Sequence, residues 1–479
     1  MSGARYQSPL GTRYASPAMQ ALWGDAHRVA LWRRLWLALM EEQRELGLTI
    51  PDAAITELRA HLDDTDLAAV AQYERRFRHD VMAHIHALGD QAPAARPFLH
   101  LGATSAYVTD NADLLVMREG LRLLLGRLVA LLRALGAFAG RHAALPCLAY
   151  THFQPAQLTT VGKRATLWAQ DLALDAEELC HRLETMRFRG CKGTTGTQAS
   201  FLELFGGDHG KVRDLDRRVS ERMGVPRPFA VSGQTYTRKQ DSVILDALSG
   251  LAQSAGKLAG DLRLLQHEGE LLEPFESEQI GSSAMAYKRN PMRAERISAL
   301  ARFLISLQQN TGQTAASQWL ERTLDDSANR RLVLPEAFLA ADAILILATN
   351  IVTGLEVRET VIQRRVTEQM PFMATERWLM LGVTAGGDRQ TLHEVVRSES
   401  MQVQANVGAG GTNDLLDRLA AHAAFRAVPA TALRAELDPA RYTGRSEAQV
   451  QEFLQEMLNP ILARAGALAA SADTVEVRV

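Results

Sequence analysis

Residues 158–183 read LTTVGKRATLWAQDLALDAEELCHRL. Leu158, Val161, Ala165, Trp168, Leu172, Ala176, Leu179 and Leu183 follow one another at steps of three and four. That spacing predicts a helix with one buried stripe, because side chains three and four apart share a face. Leu114, Met117, Leu121, Leu124, Leu128, Leu131 and Leu135 repeat it, and so do Ile244, Leu248, Leu251, Ala255, Leu258, Leu262 and Leu265. Alternation of the strand type is scarce. Proline, which breaks helix interiors, is missing from 98–145, 156–225, 229–273, 292–334 and 336–370. The pattern predicts an all-α protein with a long central helical bundle at 105–357, its helices packed at shallow angles. Two smaller, mostly helical domains at 1–104 and 358–479 are expected to flank it, the second with Gly-rich turns at 386–387 and 408–411. Stripes this long need more partners than one chain supplies, so the bundle is expected to form an oligomer.

Composition narrows the function classes. The net charge of −2 carries no basic excess of the kind that binds nucleic acid, although a local basic pocket for an anionic small molecule stays compatible with it. The N-terminal stretch lacks the apolar core of a secretory signal. No run approaches the roughly 20 apolar residues that span a bilayer, so no membrane association is expected. Cys147, Cys180 and Cys191 are widely spaced and odd in number, which suits a reducing, cytoplasmic setting and shows no zinc spacing.

Polar clusters interrupt the helical pattern at 11–14, 78–80, 102–105, 151–155, 193–196, 233–236, 281–291 and 325–331. Most fall at predicted helix ends, where free N–H groups and a partial positive charge suit a carboxylate or phosphate. Thr104-Ser105 also has the composition of a helix cap. His152 precedes a helix expected to begin near 156. His79, His84 and His86 are spaced H-x4-H-x-H, which matches no recognised metal pattern. The turn at 193–196 reads as a flexible turn rather than a nucleotide loop. Asp325 and Asp326 point apart on a helix and read as solvated or salt-bridged. Phosphate-loop, dinucleotide and serine-hydrolase motifs are missing.

Residues 281–291, GSSAMAYKRNP, differ in kind. Glycine lets the segment move, serine offers a small nucleophile or base, and Lys288 and Arg289 can hold anions. Removing a C–H proton beside a carboxylate makes a dianionic carbanion, which needs fixed donors and cations around it. A group departing from the next carbon then needs a proton from an acid on the opposite face, and a histidine suits that role. Spacing alone does not choose between Ser282 and Ser283.

The same loop resembles the signature of the fumarase/aspartase superfamily, whose usual form is GSSxMPxKxNP. With THFQPAQLTTVGKR at 151–164 and RTLDDSANRR at 322–331, the chain resembles the adenylosuccinate lyase family, closest to its animal-like branch. RYASP at 13–17, RHDVMAH at 78–84, HLGATS at 100–105, KGTTGTQASF at 192–201 and GQTYTRK at 233–239 match in the same order, from about residue 6 to beyond 460. The resemblance implies a β-elimination that releases fumarate from adenylosuccinate and from the succinocarboxamide ribotide of purine synthesis. It implies Ser282 as general base and His152 as general acid. Lys288 and Asn290 would lie near the carboxylates and carbanion, and Glu295 would support the acid side. Thr104, Ser105 and Gln234 match succinyl contacts. Arg13, Tyr14, Arg296, Ser327 and Arg331 match nucleotide contacts, and Arg78, His79 and Asp80 match a further binding segment. The family is homotetrameric with active sites shared between subunits, and uses no metal and no organic cofactor. Ala286 departs from the pattern, standing where the loop usually has proline. Another lyase of the superfamily, such as argininosuccinate lyase or fumarase, and a catalytically inactive structural relative are the alternatives. The DDSANRR segment with Arg13-Tyr14 speaks against the first, and retention of both Ser282 and His152 against the second.

Overall fold

A computed structural model describes residues 6–470; residues 1–5 and 471–479 of the two expected terminal domains lie outside it. The chain forms helices α1 (Asp25–Glu45), α2 (Asp80–Gln91) and α3 (Ser105–Arg141), then a hairpin of β1 (Pro146–Thr151) and β2 (Gln154–Thr160). Long helices α4 (Val161–Thr185), α5 (Lys239–His267), α6 (Met292–Ala316) and α7 (Asp325–Thr353) follow, then α8 (Glu359–Met373) and, last, α9 (Asn459–Leu468).

Helices α3 to α7 make the bundle, and side-chain pairs give their directions. Trp168 of α4 donates to Asp261 of α5 at 2.7 Å, while Asp175, further along α4, meets Gly250, further back on α5. Those two run antiparallel. Asn329 near the start of α7 bonds Asn310 near the end of α6 at 2.8 Å, so that pair is antiparallel too. Arg330 reaches Asp113 at 2.9 Å, and Asp342 pairs with Arg127, so α3 and α7 run parallel. One end of the bundle therefore gathers the starts of α3, α5 and α7. The opposite end gathers the hairpin and the starts of α4 and α6. A 25-residue helix such as α6 is about 37 Å long at 1.5 Å per residue, which separates the two ends.

The predicted stripes are the core. Leu172, Ile244, Leu251, Leu124 and Leu128 are fully buried in one cluster with Ile344 and Phe338 of α7. A second cluster joins Trp36, Leu58 and Leu88 to the first turns of α3 and to Phe188, Phe201 and Leu215. A third surrounds Trp378, Leu392, Phe425 and Leu433. Each fully buried Leu or Phe contributes about 1.5–3 kcal/mol of transfer free energy.

Two expectations need correction. No helix begins near 156: residues 154–160 pair with 146–151, and α4 starts at Val161, where the Thr160 hydroxyl accepts the Lys163 N–H at 3.1 Å. Pro155 keeps its predecessor extended, and Leu158 fills the core from a strand rather than from a helix. Two segments do reach the apolar length of a membrane span. Windows in α3 and α7 have mean hydropathies of 1.7 and 1.9, with 67% and 72% of their residues buried in the fold. A helix at the centre of a bundle is surrounded by other helices, so it needs no polar face. Helix α7 continues through Pro335, within the stretch expected to form the bundle.

Candidate active site

At the end of the bundle where α3, α5 and α7 begin lies a cleft of about 1070 Å³. Its lining includes eight of the expected residues: Arg78, His79, Asp80, Thr104, Ser105, Gln234, Ser327 and Arg331. His79 caps α2 through its ring nitrogen and faces the Ser105 hydroxyl at 3.4 Å. Arg331 reaches Asp80 at 3.4 Å. Thr104 stands at the cap position of α3 in extended conformation, yet its hydroxyl makes no capping bond. The pair Thr104-Ser105 thus leaves side-chain hydroxyls and the N-terminal N–H groups of a 37-residue helix facing the cleft, the arrangement that favours an anion.

A buried ionic network forms the floor. Arg238 forks onto Asp110 at 3.1 and 3.2 Å and donates to Asp326 at 2.6 Å. Arg330 donates to Asp241 at 2.7 Å, to Asp113 at 2.9 Å and to the Tyr236 hydroxyl, which itself donates to Asp241 at 2.6 Å. Three helix starts are locked together this way, and Gln234 is held beside them, because Arg189 donates to its carbonyl at 2.7 Å. Burial opposes the charge of Asp110, but Arg238 and Arg330 hold its carboxyl below the usual range. Burial pushes Asp113 up and keeps the Tyr236 hydroxyl protonated. Asp326 is salt-bridged, one of the two readings expected for the Asp325-Asp326 pair, while Asp325 is exposed. None of Asp110, Asp113, Asp241, Arg238 or Arg330 was singled out from the sequence. The available signal was weak: Asp110 and Asp113 are carboxylates within an apolar helical stripe, and Arg238 lies in the quoted GQTYTRK motif.

The other expected residues lie away from this cleft. His152 and Phe153 form a two-residue hairpin turn with φ of 52° and 56°, the left-handed pair that matches strand twist. This replaces the helix-start position expected for His152. The ring is exposed and has no hydrogen-bond partner among the described residues. The hairpin is fixed from below by Tyr150, which donates to buried Glu270 at 3.2 Å, and by Arg164, which donates to the Leu148 carbonyl. Ser282 accepts the N–H groups of Met285 at 3.1 Å and Ala284 at 3.3 Å. Asn290 donates to the Gly281 carbonyl at 2.7 Å, and Lys288 is exposed. Arg289 is not the free cation expected: it pairs with Glu356 at 3.0 Å and lies over the Phe275 ring. Glu295 is exposed in the first turn of α6. Arg296 lies 5.4 Å over the Tyr14 ring, and Arg13, one residue earlier, is exposed. Ser16 anchors this segment, its N–H donating to fully buried Asp342 at 2.7 Å.

The three histidines of H-x4-H-x-H diverge. His79 faces the cleft, His84 packs edge-on against Trp32, and His86 lies against Tyr73 and Phe77. Burial lowers His84 to about 4, which keeps it neutral. The turn at 193–196 is tied down rather than flexible: Arg189 donates to the Gly193 carbonyl at 2.9 Å. A side chain at Gly196 would stand 1.7 Å from the Ser232 carbonyl.

The sequence is similar to known lyases over nearly its full length. A family model described as "Lyase" matches residues 52–304, and one described as "Adenylosuccinate lyase C-terminus" matches 371–453. The adenylosuccinate lyase of Saccharomyces cerevisiae is 48% identical over 461 residues, covering 95% of each chain. That of Schizosaccharomyces pombe is 46% identical over 462 residues, covering 96% of each. Among solved structures, the 3-carboxy-cis,cis-muconate lactonizing enzyme of Pseudomonas putida superposes with a TM-score of 0.80 at 23% identity, over 97% of this chain and 100% of that one. A fumarate lyase from Mesorhizobium gives 0.77 at 23% identity, over 95% and 99%. These structural likenesses bear on the fold alone, whereas at 46–48% identity over nearly the whole of both sequences, the chain belongs to the adenylosuccinate lyase family.

Proposed function

We propose that this lyase releases fumarate by β-elimination from adenylosuccinate, giving AMP, and from the succinocarboxamide ribotide SAICAR, giving AICAR, in purine nucleotide biosynthesis. The observation that carries the proposal is near-full-length identity to relatives named for that activity. In this reading Ser282 takes the C–H proton and His152 protonates the leaving nitrogen. Lys288 and Asn290 stabilise the carbanion, and Glu295 supports the acid side. Thr104, Ser105 and Gln234 hold the succinyl group. Arg13, Tyr14, Arg296, Ser327 and Arg331 hold the nucleotide, beside Arg78, His79 and Asp80. The reaction uses no metal and no organic cofactor, and the enzyme works in the cytoplasm.

Two ends of a bundle about 37 Å apart cannot both touch one small molecule. We therefore propose a homotetramer in which bundles from neighbouring subunits bring the cleft, the hairpin and the loop together. Exposed apolar side chains on the bundle, including Leu167, Leu174, Leu264 and Leu332, are consistent with such packing. The division at 1–104, 105–357 and 358–479 belongs to the same proposal. The central part would supply the oligomer contacts and most of the site residues, with Arg13, Tyr14, Arg78, His79, Asp80 and Thr104 coming from the N-terminal part.

The test is fumarate release by purified protein given adenylosuccinate, with argininosuccinate and malate in parallel. Activity on adenylosuccinate is the expected result; activity only on another substrate would overturn the substrate reading. Ser282→Ala should lower turnover by orders of magnitude while substrate still binds. A sedimentation run showing only monomer would refute the tetramer.

A further inference from the structure

The loop that carries Ser282 leaves the end of α5 and re-enters the bundle at α6. Its two ends meet on one side chain. Gln266, in the last turn of α5, accepts the N–H of Glu273 at 3.1 Å through its amide oxygen. Its amide nitrogen donates to the carbonyl of Arg289 at 3.0 Å. Residues at the start and at the end of the loop are thus held across a single amide group, with both of its functional atoms used. The contacts around it fix the same neck. Glu273 accepts the N–H groups of Arg293 and Ala294 at the start of α6, both at 3.1 Å. Arg293 donates to the Pro274 carbonyl at 2.9 Å, and Arg289 pairs with Glu356. Beyond the neck, residues 283–288 are exposed.

We propose that Gln266 is a positioning residue for the reaction: it clamps the base of the loop so that Ser282 moves on a closed neck rather than on two independent strands. The proposal rests on the reading of Ser282 as the base. It follows from the geometry that one glutamine can serve both ends. An amide offers a donor and an acceptor on the same rigid plane, and neither a carboxylate nor an aliphatic side chain offers both. Without the clamp, the chain between Glu273 and Arg289 gains conformational freedom that closure must remove again. Residues far from the loop that hold the nucleotide are untouched, so the effect falls on turnover rather than on substrate affinity.

Two variants test this. Gln266→Leu removes both bonds, and Gln266→Glu keeps the acceptor for Glu273 but opposes the Arg289 carbonyl with a second oxygen. The measurements are kcat and KM on adenylosuccinate, the rate of tryptic cleavage after Lys288 and Arg289, and the thermal midpoint as a check that the bundle is intact. Gln266→Leu is expected to lower kcat by roughly 10- to 100-fold with KM changed by less than about threefold, as for a misplaced catalytic group. Cleavage at the loop should accelerate in both variants, less in Gln266→Glu. Cleavage and kcat equal to the parent's would overturn the clamp, and so would faster cleavage with unchanged kcat. If the parent protein releases no fumarate, the reading of Ser282 fails, while the cleavage rates still judge the clamp.

Discussion

Gly281→Ala isolates the shape of the loop neck from its chemistry. Gly281 does not lie in the left-handed region, so alanine meets no conformational objection there. The obstacle is a contact. A Cβ on Gly281 would stand 2.0 Å from the carbonyl oxygen of Lys288 and 3.2 Å from the edge of the Phe275 ring. Real Cβ atoms essentially never come closer than 3.0 Å, so the two strands of the neck must part by about 1 Å. Ser282 is the next residue and moves with the neck. With Ser282 as the proposed base, misplacing it by about 1 Å costs on the order of 100-fold in rate, or about 2.7 kcal/mol of barrier. Stability should change far less. The loop tip is exposed, and the bond from Asn290 to the Gly281 carbonyl contributes only about 1 kcal/mol. Fumarate release at saturating adenylosuccinate measures the first quantity and a urea titration the second. A variant that turns over within about threefold of the parent, with the same unfolding midpoint, would refute the claim that this close approach positions the serine.

Three other perturbations have definite outcomes. Arg330→Met leaves Asp241 and Asp113 without their guanidinium in a buried site, and should reduce unfolding free energy by about 3–5 kcal/mol; a loss below about 1 kcal/mol in urea would contradict the network. Asp175 lies between α4 and α5, where burial, only partly offset by the Ser254 hydroxyl, pushes its carboxyl up to about 7, and one of its oxygens has no partner. Because the folded value lies above the unfolded one, the contribution of Asp175 to stability is fully present below about pH 4 and is lost as pH rises through 7. Asp175→Asn should flatten that slope and exceed the parent in melting temperature at pH 8, and parallel melting curves from pH 5 to 8 would exclude the effect. Ala286→Pro, at an exposed position of the loop, should reduce the freedom lost on closure by roughly 0.4–1 kcal/mol and alter loop closure without abolishing turnover. Loop proteolysis and turnover both equal to the parent's would show that the departure from proline has no consequence.

Much of the bundle was legible because burial and periodicity coincide in α3, α4 and α5. Helices α4 and α5 have neighbours on one side and a more polar face on the other, so the stripe appears in sequence, and α3 keeps a periodic stripe although it is buried on most sides. Helix α7 shows no such stripe, since it is buried on nearly every side and its apolar residues carry no period. The hairpin was missed for a different reason. Leu158, Val161 and Ala165 keep helical spacing across the junction of a strand and a helix, so periodicity extended α4 by several residues in the wrong direction. Candidate site residues were legible one motif at a time. Their grouping into a cleft at one end and a hairpin and loop at the other was not.

The order of long amphipathic segments, the polar motifs between them and the serine-bearing loop are properties of the sequence by itself, because each depends on residues within a few turns of one another. Tertiary structure alone decided which charges are buried together. Arg238 meets Asp110 across 128 residues of chain and Arg330 meets Asp241 across 89, and no local pattern encodes such pairs. It also decided that Arg289 is spent on Glu356, that Thr104 leaves its hydroxyl uncapped, and that Gln266 closes the loop. A side chain's chemical capacity is set by its type, but whether that capacity is free for a ligand depends on partners brought to it only by the packing of distant helices.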